Sequence, residues 1–366
     1  MATETKNHSW KNGDKYTGQF VDDIICGNGE FTWANGNNYK GDFKDDLMDG
    51  KGTFTWPSGN VYKGSFSKNV MSGAGAFTWA NGNNYEGTFS EDVMHGKGSF
   101  SWSETGNKYE GAFESGQMSG KGKYTCATGD VYQGDFINGV RHGQGCYAWA
   151  DGDKYTGDFR DDSEHGQGTL TWASGKKYTG AFQKGQRHGN GVLTESDGSK
   201  FEGWFENGIM TGEGLYSWKN GNVYKGTFKD DKMHGKGSYA WADKNSYVGD
   251  FVKDLMHGKG TYTWASGNKY VGDFKDDMMS GTGFYKWTNG NTYEGLFSNG
   301  QRNGKGRYTW ANGDWYEGEF ANNLESGQGT YTWASGNQYT GDFKDDLMNG
   351  KGTYTWTNGN RYQGEF

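Results

Sequence analysis

Short stretches of this chain alternate strictly between apolar and polar positions. In residues 39–56, Tyr39, Gly41 and Phe43 are separated by Lys40 and Asp42, and Gly52, Phe54 and Trp56 by Thr53 and Thr55. A period of two is the pattern of a β-strand with one buried face. Each stretch therefore predicts a strand, and each pair of stretches a β-hairpin. Residues 44–50 (KDDLMDG) are expected to form a loop between the strands, and Pro57, Ser58 and Gly59 a tight turn whose glycine can take a positive φ. No helix is predicted anywhere.

The pattern recurs from Tyr16 to Phe366 at a step of 23 residues, lengthened to 24 only between Tyr85 and Tyr109. Numbered from its opening tyrosine, a unit has tyrosine at position 1, glycine at 3, phenylalanine at 5, glycine at 12 and 14, an aromatic at 16, tryptophan at 18 and glycine at 21. In the second unit Tyr39, Gly41, Phe43, Gly50, Gly52 and Trp56 exemplify this repeat core. Residues 1–15 form an N-terminal segment with a half unit (Trp10, Gly13), residues 16–361 fifteen units in one continuous array, and residues 362–366 the opening strand of a sixteenth. The expected fold class is all-β: an elongated, single-layer antiparallel β-ribbon of tandem 23-residue hairpins. Matching the apolar faces suggests a register with position 1 opposite 18, 3 opposite 16 and 5 opposite 14.

Composition follows from the repeat. Leu, Ile, Val and Phe make up only about 12% of the 366 residues, a range typical of disordered chains. Yet 62 residues are aromatic, and 59 of them fall in the repeat frame, so the core is built of rings instead of branched aliphatics. A net charge of -8 has the wrong sign for a default nucleic-acid binder. Cys26, Cys126 and Cys146 have neither metal-type nor disulfide-type spacing and suit a reducing compartment. The opening MATETKNHSW has no basic segment followed by an apolar core, and Ala2 excludes myristoylation, so neither secretion nor a lipid anchor is expected.

At these positions the sequence resembles the MORN (membrane occupation and recognition nexus) family. Runs such as YVGDFKDDMMSGTGFYKW and YKGTFKDDKMHGKGSYAW carry its Tyr-Gly-Phe and Gly-x-Gly core. The resemblance implies a non-enzymatic scaffold or protein-interaction module, similar to MORN-only components of protist cytoskeletal assemblies and radial spoke heads. Its expected location is the cytoplasm and cytoskeleton: flagellum or axoneme, basal body or cell cortex. Protein partners and a homo-oligomer such as a homodimer are implied, and no cofactor. A phosphoinositide-binding membrane tether is the alternative.

Candidate chemistry is sparse. His95, His142, His165, His188, His234 and His257 all occupy position 11. Neighbouring equivalents would lie two strand spacings, roughly 9.6 Å, apart, too far to share one zinc except across a symmetry axis. The pairs Asp45 and Asp46, Asp161 and Asp162, Asp230 and Asp231, Asp276 and Asp277, and Asp345 and Asp346 are expected to form a solvated acidic edge. Lysines at position 13, such as Lys51, Lys236 and Lys259, are interleaved with acids and give little support to a polybasic lipid site. Gly-Lys-Gly triplets lack the spacing and the helix of a phosphate loop. No catalytic set stands out, and no catalytic, metal or cofactor residue is assigned.

The out-of-frame aromatics Trp204, Phe284 and Trp315 all point to the polar face. In the expected register Trp204 lies between Val192 and Leu215, and Phe284 lies opposite Leu296. These six residues are the candidate partner or dimer contacts. The terminal strand Tyr362 to Phe366 adds an open edge for self-association. About 31 strands spaced at roughly 4.8 Å predict a particle on the order of 150 Å long. Small-angle scattering is expected to return a maximum dimension of about that size, against that of a compact sphere of the same mass.

Overall fold

The computed structural model describes residues 4–366. Ala2, on which the myristoylation expectation rests, lies outside them. The described residues are all-β and fall into two compact units, one ending at Gln186 and the other beginning at Arg187. Within each unit every strand pairs antiparallel with its neighbours in sequence, forming an open sheet of hairpins. The described residues hold 32 strands, one more than the repeat arithmetic suggests, because Glu4–Ser9 of the half unit pairs with Lys15–Val21.

The register differs from the expected one by two residues. Tyr39 faces Phe54 and Gly41 faces Gly52, so position 1 lies opposite 16 and position 3 opposite 14. Across repeats the same rows continue as Phe54 with Tyr62 and Gly52 with Gly64. A shift of two keeps every side chain on its expected face but changes its partner. The cause lies in the presumed loop. Asp45 and Asp46 both adopt left-handed conformations (φ 53° and 64°), closing a two-residue turn of the primed type that suits a hairpin. Leu47, Met48, Asp49 and Gly50 thus belong to the second strand, Leu47–Thr55, instead of a loop.

Because that strand has nine residues and its partner Asn38–Lys44 seven, the pairing slips between Gly41 and Phe43 as a β-bulge. The slip is covered by side chains. The Tyr39 hydroxyl donates to the Asp42 carbonyl (3.0 Å), while the Lys51 amide donates to the Asp42 carboxylate (2.9 Å).

Two ladders of rings occupy the inner face. Tyr39 meets Phe43 and Phe66 edge-on, each at 5.0 Å, and the contact repeats along the sheet. Tyr39, Tyr62 and Tyr85 expose no surface, although only one layer of sheet lies behind them. Trp56 falls just beyond the strand, at the start of the second turn, and stacks between Phe54 (4.4 Å) and Phe77 (5.3 Å).

Both margins of the sheet are joined by Asn and Asp side chains. At position 8, Asn69 accepts from the Met48 amide (2.8 Å) and its own amide donates back to the Met48 carbonyl (3.0 Å). At position 22, Asn60 accepts from the Ala80 amide of the next repeat (2.9 Å). The second unit repeats both bonds with Asp254 on Met233 and Asn245 on Ala265. The acidic pairs are therefore not a freely solvated edge: Asp46, Asp162, Asp231, Asp277 and Asp346 each accept a backbone N–H from the preceding repeat.

The tyrosine ring lies flat over the glycine pair. A Cβ on Gly52 would stand 2.3 Å from the Tyr39 ring, and one on Gly41 would stand 2.5 Å from both the Tyr39 hydroxyl and the Gly52 Cα. Gly52→Ala is therefore expected to destabilise by about 3 kcal/mol, the upper end for overpacking. Gly175, in a left-handed turn (φ 87°) with nothing near its absent Cβ, should accept Asn at a cost of only about 1 kcal/mol, set by the backbone conformation and not by a clash. Urea unfolding of the two variants checks the contrast.

Candidate functional site

On the side away from the rings, the paired glycines leave a bare backbone floor. Positions 2 and 15 form one wall, positions 4 and 13 the other. Over Glu213 to Lys305, within the second unit, these walls enclose a trough of about 1160 Å³. A similar trough in the first unit, from Asn28 to Lys97, encloses about 810 Å³.

Their linings differ. The first-unit trough is walled by residues such as Lys40, Thr53, Ala76, Glu86 and Thr88. The second-unit trough adds Val248, Val271, Phe284 and Leu296, which are 59%, 42%, 39% and 39% exposed. Four apolar side chains in contact with water thus lie together on one face of the sheet.

The structure places the six contact candidates as follows. Phe284 faces Val271 on one side and Glu294 on the other, while Leu296 faces Thr282. The expected direct pair is thus a diagonal one, and both residues line the same trough. Val192 and Leu215 flank Glu202, with Trp204 in the opposite wall row between Asn190 and Thr211. The expected direct row of three becomes a row of two interrupted by a carboxylate; Trp204 is 43% exposed beside the His188 ring (6.4 Å). Trp315 pairs with Thr309 and Thr332 and lies under the Arg307 guanidinium at 4.2 Å, outside the large trough. Val248 and Val271 were not singled out from the sequence because valine is ordinary in a strand. Their signal was positional, since position 2 elsewhere holds Thr, Lys, Glu or Gln.

Two of the four lysines of the second-unit trough are matched by carboxylates. Lys236 meets Asp250 and Lys259 meets Asp273, each at 2.9 Å, and in the first unit Lys121 meets Asp135 at 2.8 Å. Such exposed pairs add little stability, but they leave no uninterrupted positive row. The position-11 histidines lie opposite position 4, as with His142 facing Asp135 and His165 facing Asp158. Among the described residues no three His, Cys, Asp or Glu side chains converge as a metal site would require.

A profile of the MORN repeat matches fifteen consecutive segments, from residues 16–38 to residues 339–361. No curated protein matches the chain. Among solved structures, the Drosophila melanogaster SAS-4 TCP domain, in complex with a proline-rich motif of Ana2, is similar at 16% identity and a TM-score of 0.28. That likeness covers 48% of this chain and 90% of the other. The Danio rerio CPAP TCP10 domain, in complex with a STIL peptide, is similar at 12% identity and a TM-score of 0.20, covering 62% and 91%. Virginiamycin B lyase from Staphylococcus aureus follows at 10% identity and a TM-score of 0.12, covering 86% and 83%.

Charge also enters the inner face, at position 10, where nine units carry methionine. Arg302 lies over the rings of Tyr308 (4.9 Å), Phe320 (5.2 Å) and Tyr293 (5.6 Å). Glu325, one repeat on, is buried opposite Phe320, and its amide donates to Asp346. Burial, reinforced by the Asp346 carboxylate and opposed by Arg302, pushes the Glu325 carboxyl up from an ordinary 4.5 to about 7. A raised acid pKa means that the folded state holds the proton more tightly. The stabilisation is complete below the unfolded value and is lost as pH climbs through the folded one. Thermal stability of the second unit is thus expected to fall between pH 4.5 and 7. Glu325→Met should remove that slope when melting temperatures at pH 5 and pH 8 are compared.

Proposed function

The chain belongs to the MORN-repeat family, and from this premise we propose that it is a non-catalytic, self-associating scaffold that captures protein partners within a eukaryotic cytoskeletal assembly, flagellar or cortical. The observation that carries this reading is the cluster of Val248, Val271, Phe284 and Leu296 in the glycine-floored trough of the second unit. None of them is needed to cover the ring ladders on the opposite face. Burying each in a contact is worth about 1.5–3 kcal/mol, enough to select one surface among many polar equivalents. Trp204, with Val192 and Leu215 beside Glu202, supplies a second outward contact. A membrane tether has less support, since the trough's basic row is interrupted by Glu213 and Thr282 and its Lys236 and Lys259 are matched by carboxylates at hydrogen-bond distance.

Phe284→Thr and Trp204→Thr are expected to leave the melting temperature nearly unchanged while weakening self-association in light scattering. Trp264→Thr, which removes an inner ring stacked on Tyr262 and Tyr285 (4.5 and 5.0 Å), should destabilise its neighbourhood instead. Loss of folding in all three variants would sink the two-face reading. Salt-sensitive sedimentation of the chain with anionic vesicles would favour the tether.

A further inference from the structure

Along the inner face, the rings at positions 16 and 18 form a row that is broken by Leu170, by Leu193 with Glu195 and, first along the chain, by Cys126. Phe100, Trp102 and Tyr124 follow one another at 4.5 and 5.5 Å, and the stack resumes with Tyr147 and Trp149 at 4.7 Å. Between Tyr124 and Tyr147 stands Cys126, at the position where thirteen of the fifteen units carry tryptophan. A cavity of about 380 Å³ opens there in the first unit, walled by Met118, Tyr124, Tyr132, Arg141 and Tyr147 with Cys126 among them.

The second unit contains the same arrangement with the indole in place. Trp287 lies between Tyr285 (4.3 Å) and Tyr308 (5.3 Å), tilted against them by 37° and 48°, and the Arg302 guanidinium lies 5.9 Å from its ring centre. Arg141 holds the equivalent position, with its guanidinium carbon 5.1 Å from Tyr147, 5.7 Å from Tyr132 and 5.6 Å from Phe159. Its Nε donates to the Asp162 carboxylate (3.1 Å) and its Nη2 to the Asp162 carbonyl (2.6 Å), which fixes the guanidinium. The Tyr147 hydroxyl donates to Asp130 (3.3 Å), which fixes one wall. Burial, with the Asp130 carboxylate, raises the Cys126 pKa and favours a neutral thiol. The site therefore combines two positioned tyrosines, a held cation and a small neutral side chain where an indole would otherwise be.

We propose that this cavity is a binding site for a planar, electron-rich aromatic ring of indole size, lodged between Tyr124 and Tyr147 in the tilted packing of the ring row and held by cation–π attraction to Arg141. The inference goes beyond the interaction trough, which lies on the opposite face and in the other unit. It requires only that a ring entering the slot makes the contacts that Trp287 makes within its own chain.

The test titrates the full chain with indole and, separately, with N-acetyl-tryptophanamide, reading binding by ligand-observed NMR and calorimetry. Saturable binding is expected. In Cys126→Trp, which fills the slot from within, it should be at least about tenfold weaker, while the melting temperature equals or exceeds that of the wild type. Arg141→Met, which installs the usual residue of that position, keeps the stack and removes the cation; several-fold weaker binding is expected. This second variant carries the test if Cys126→Trp fails to fold. Equal binding of both probes would show that the slot admits a ring carried on a peptide, and binding of indole alone would restrict it to a free small molecule. No saturable binding to the wild-type chain, or binding unchanged in the folded variants, would overturn the assignment.

Discussion

A tyrosine ring lying on two bare glycines is the contact on which the rest of this structure depends. Position 1 can be fully buried on a single sheet layer only because positions 3 and 14 have no Cβ; the ring occupies the space those atoms would take. Its hydroxyl then reaches the carbonyl at position 4, where the bulge has slipped the ladder, so one residue both covers the backbone and satisfies it. The phenylalanine edges of the same and the following repeat close the ring from either side. Branched aliphatic side chains enter such a core only as exceptions, Ile25 and Leu193 among them, and the composition contains few.

Confining the rings to one face frees the other. The glycines that admit tyrosine on the inner side leave a trough on the outer side, and its walls are side chains under no obligation to pack. Apolar residues there change the surface without changing the fold, which is why Val248, Val271, Phe284 and Leu296 are informative in a way that another inner tryptophan is not. The same separation makes the inner exceptions informative. Arg141, Glu164, Arg187, Arg302 and Glu325 stand where nine repeats carry methionine and bring titratable groups into a layer built mostly of rings. Cys126 replaces tryptophan and opens a cavity in a stack that otherwise leaves none at that point.

The margins show a second economy. Short Asn and Asp side chains at positions 8 and 22 accept backbone N–H groups from the neighbouring repeat, so each turn is tied to the hairpin beside it as well as to its own strands. Residues whose composition suggests a charged rim are thereby part of the inter-repeat bonding. This is consistent with a linear array whose stability accumulates from nearest-neighbour contacts.

The period, the two strands per unit, the identity of the inner face and the family were legible in the sequence, because alternation of apolar and polar residues depends only on the chain's own geometry. The outward direction of Trp204, Phe284 and Leu296 was legible for the same reason. Register was not. Asp45-Asp46 reads as the start of a loop, yet it closes a two-residue turn once its left-handed conformations are stabilised by bonds to Ile25 in the preceding repeat. That contact exists only after the neighbouring hairpin has formed. A two-residue slip leaves the face pattern intact, so nothing in the pattern could reveal it. Tertiary structure alone decided that Phe284 pairs with Val271 instead of Leu296, that Glu202 separates Val192 from Leu215, and that the missing indole at Cys126 leaves an open slot beside Arg141, because each depends on which atoms of other strands come to lie alongside.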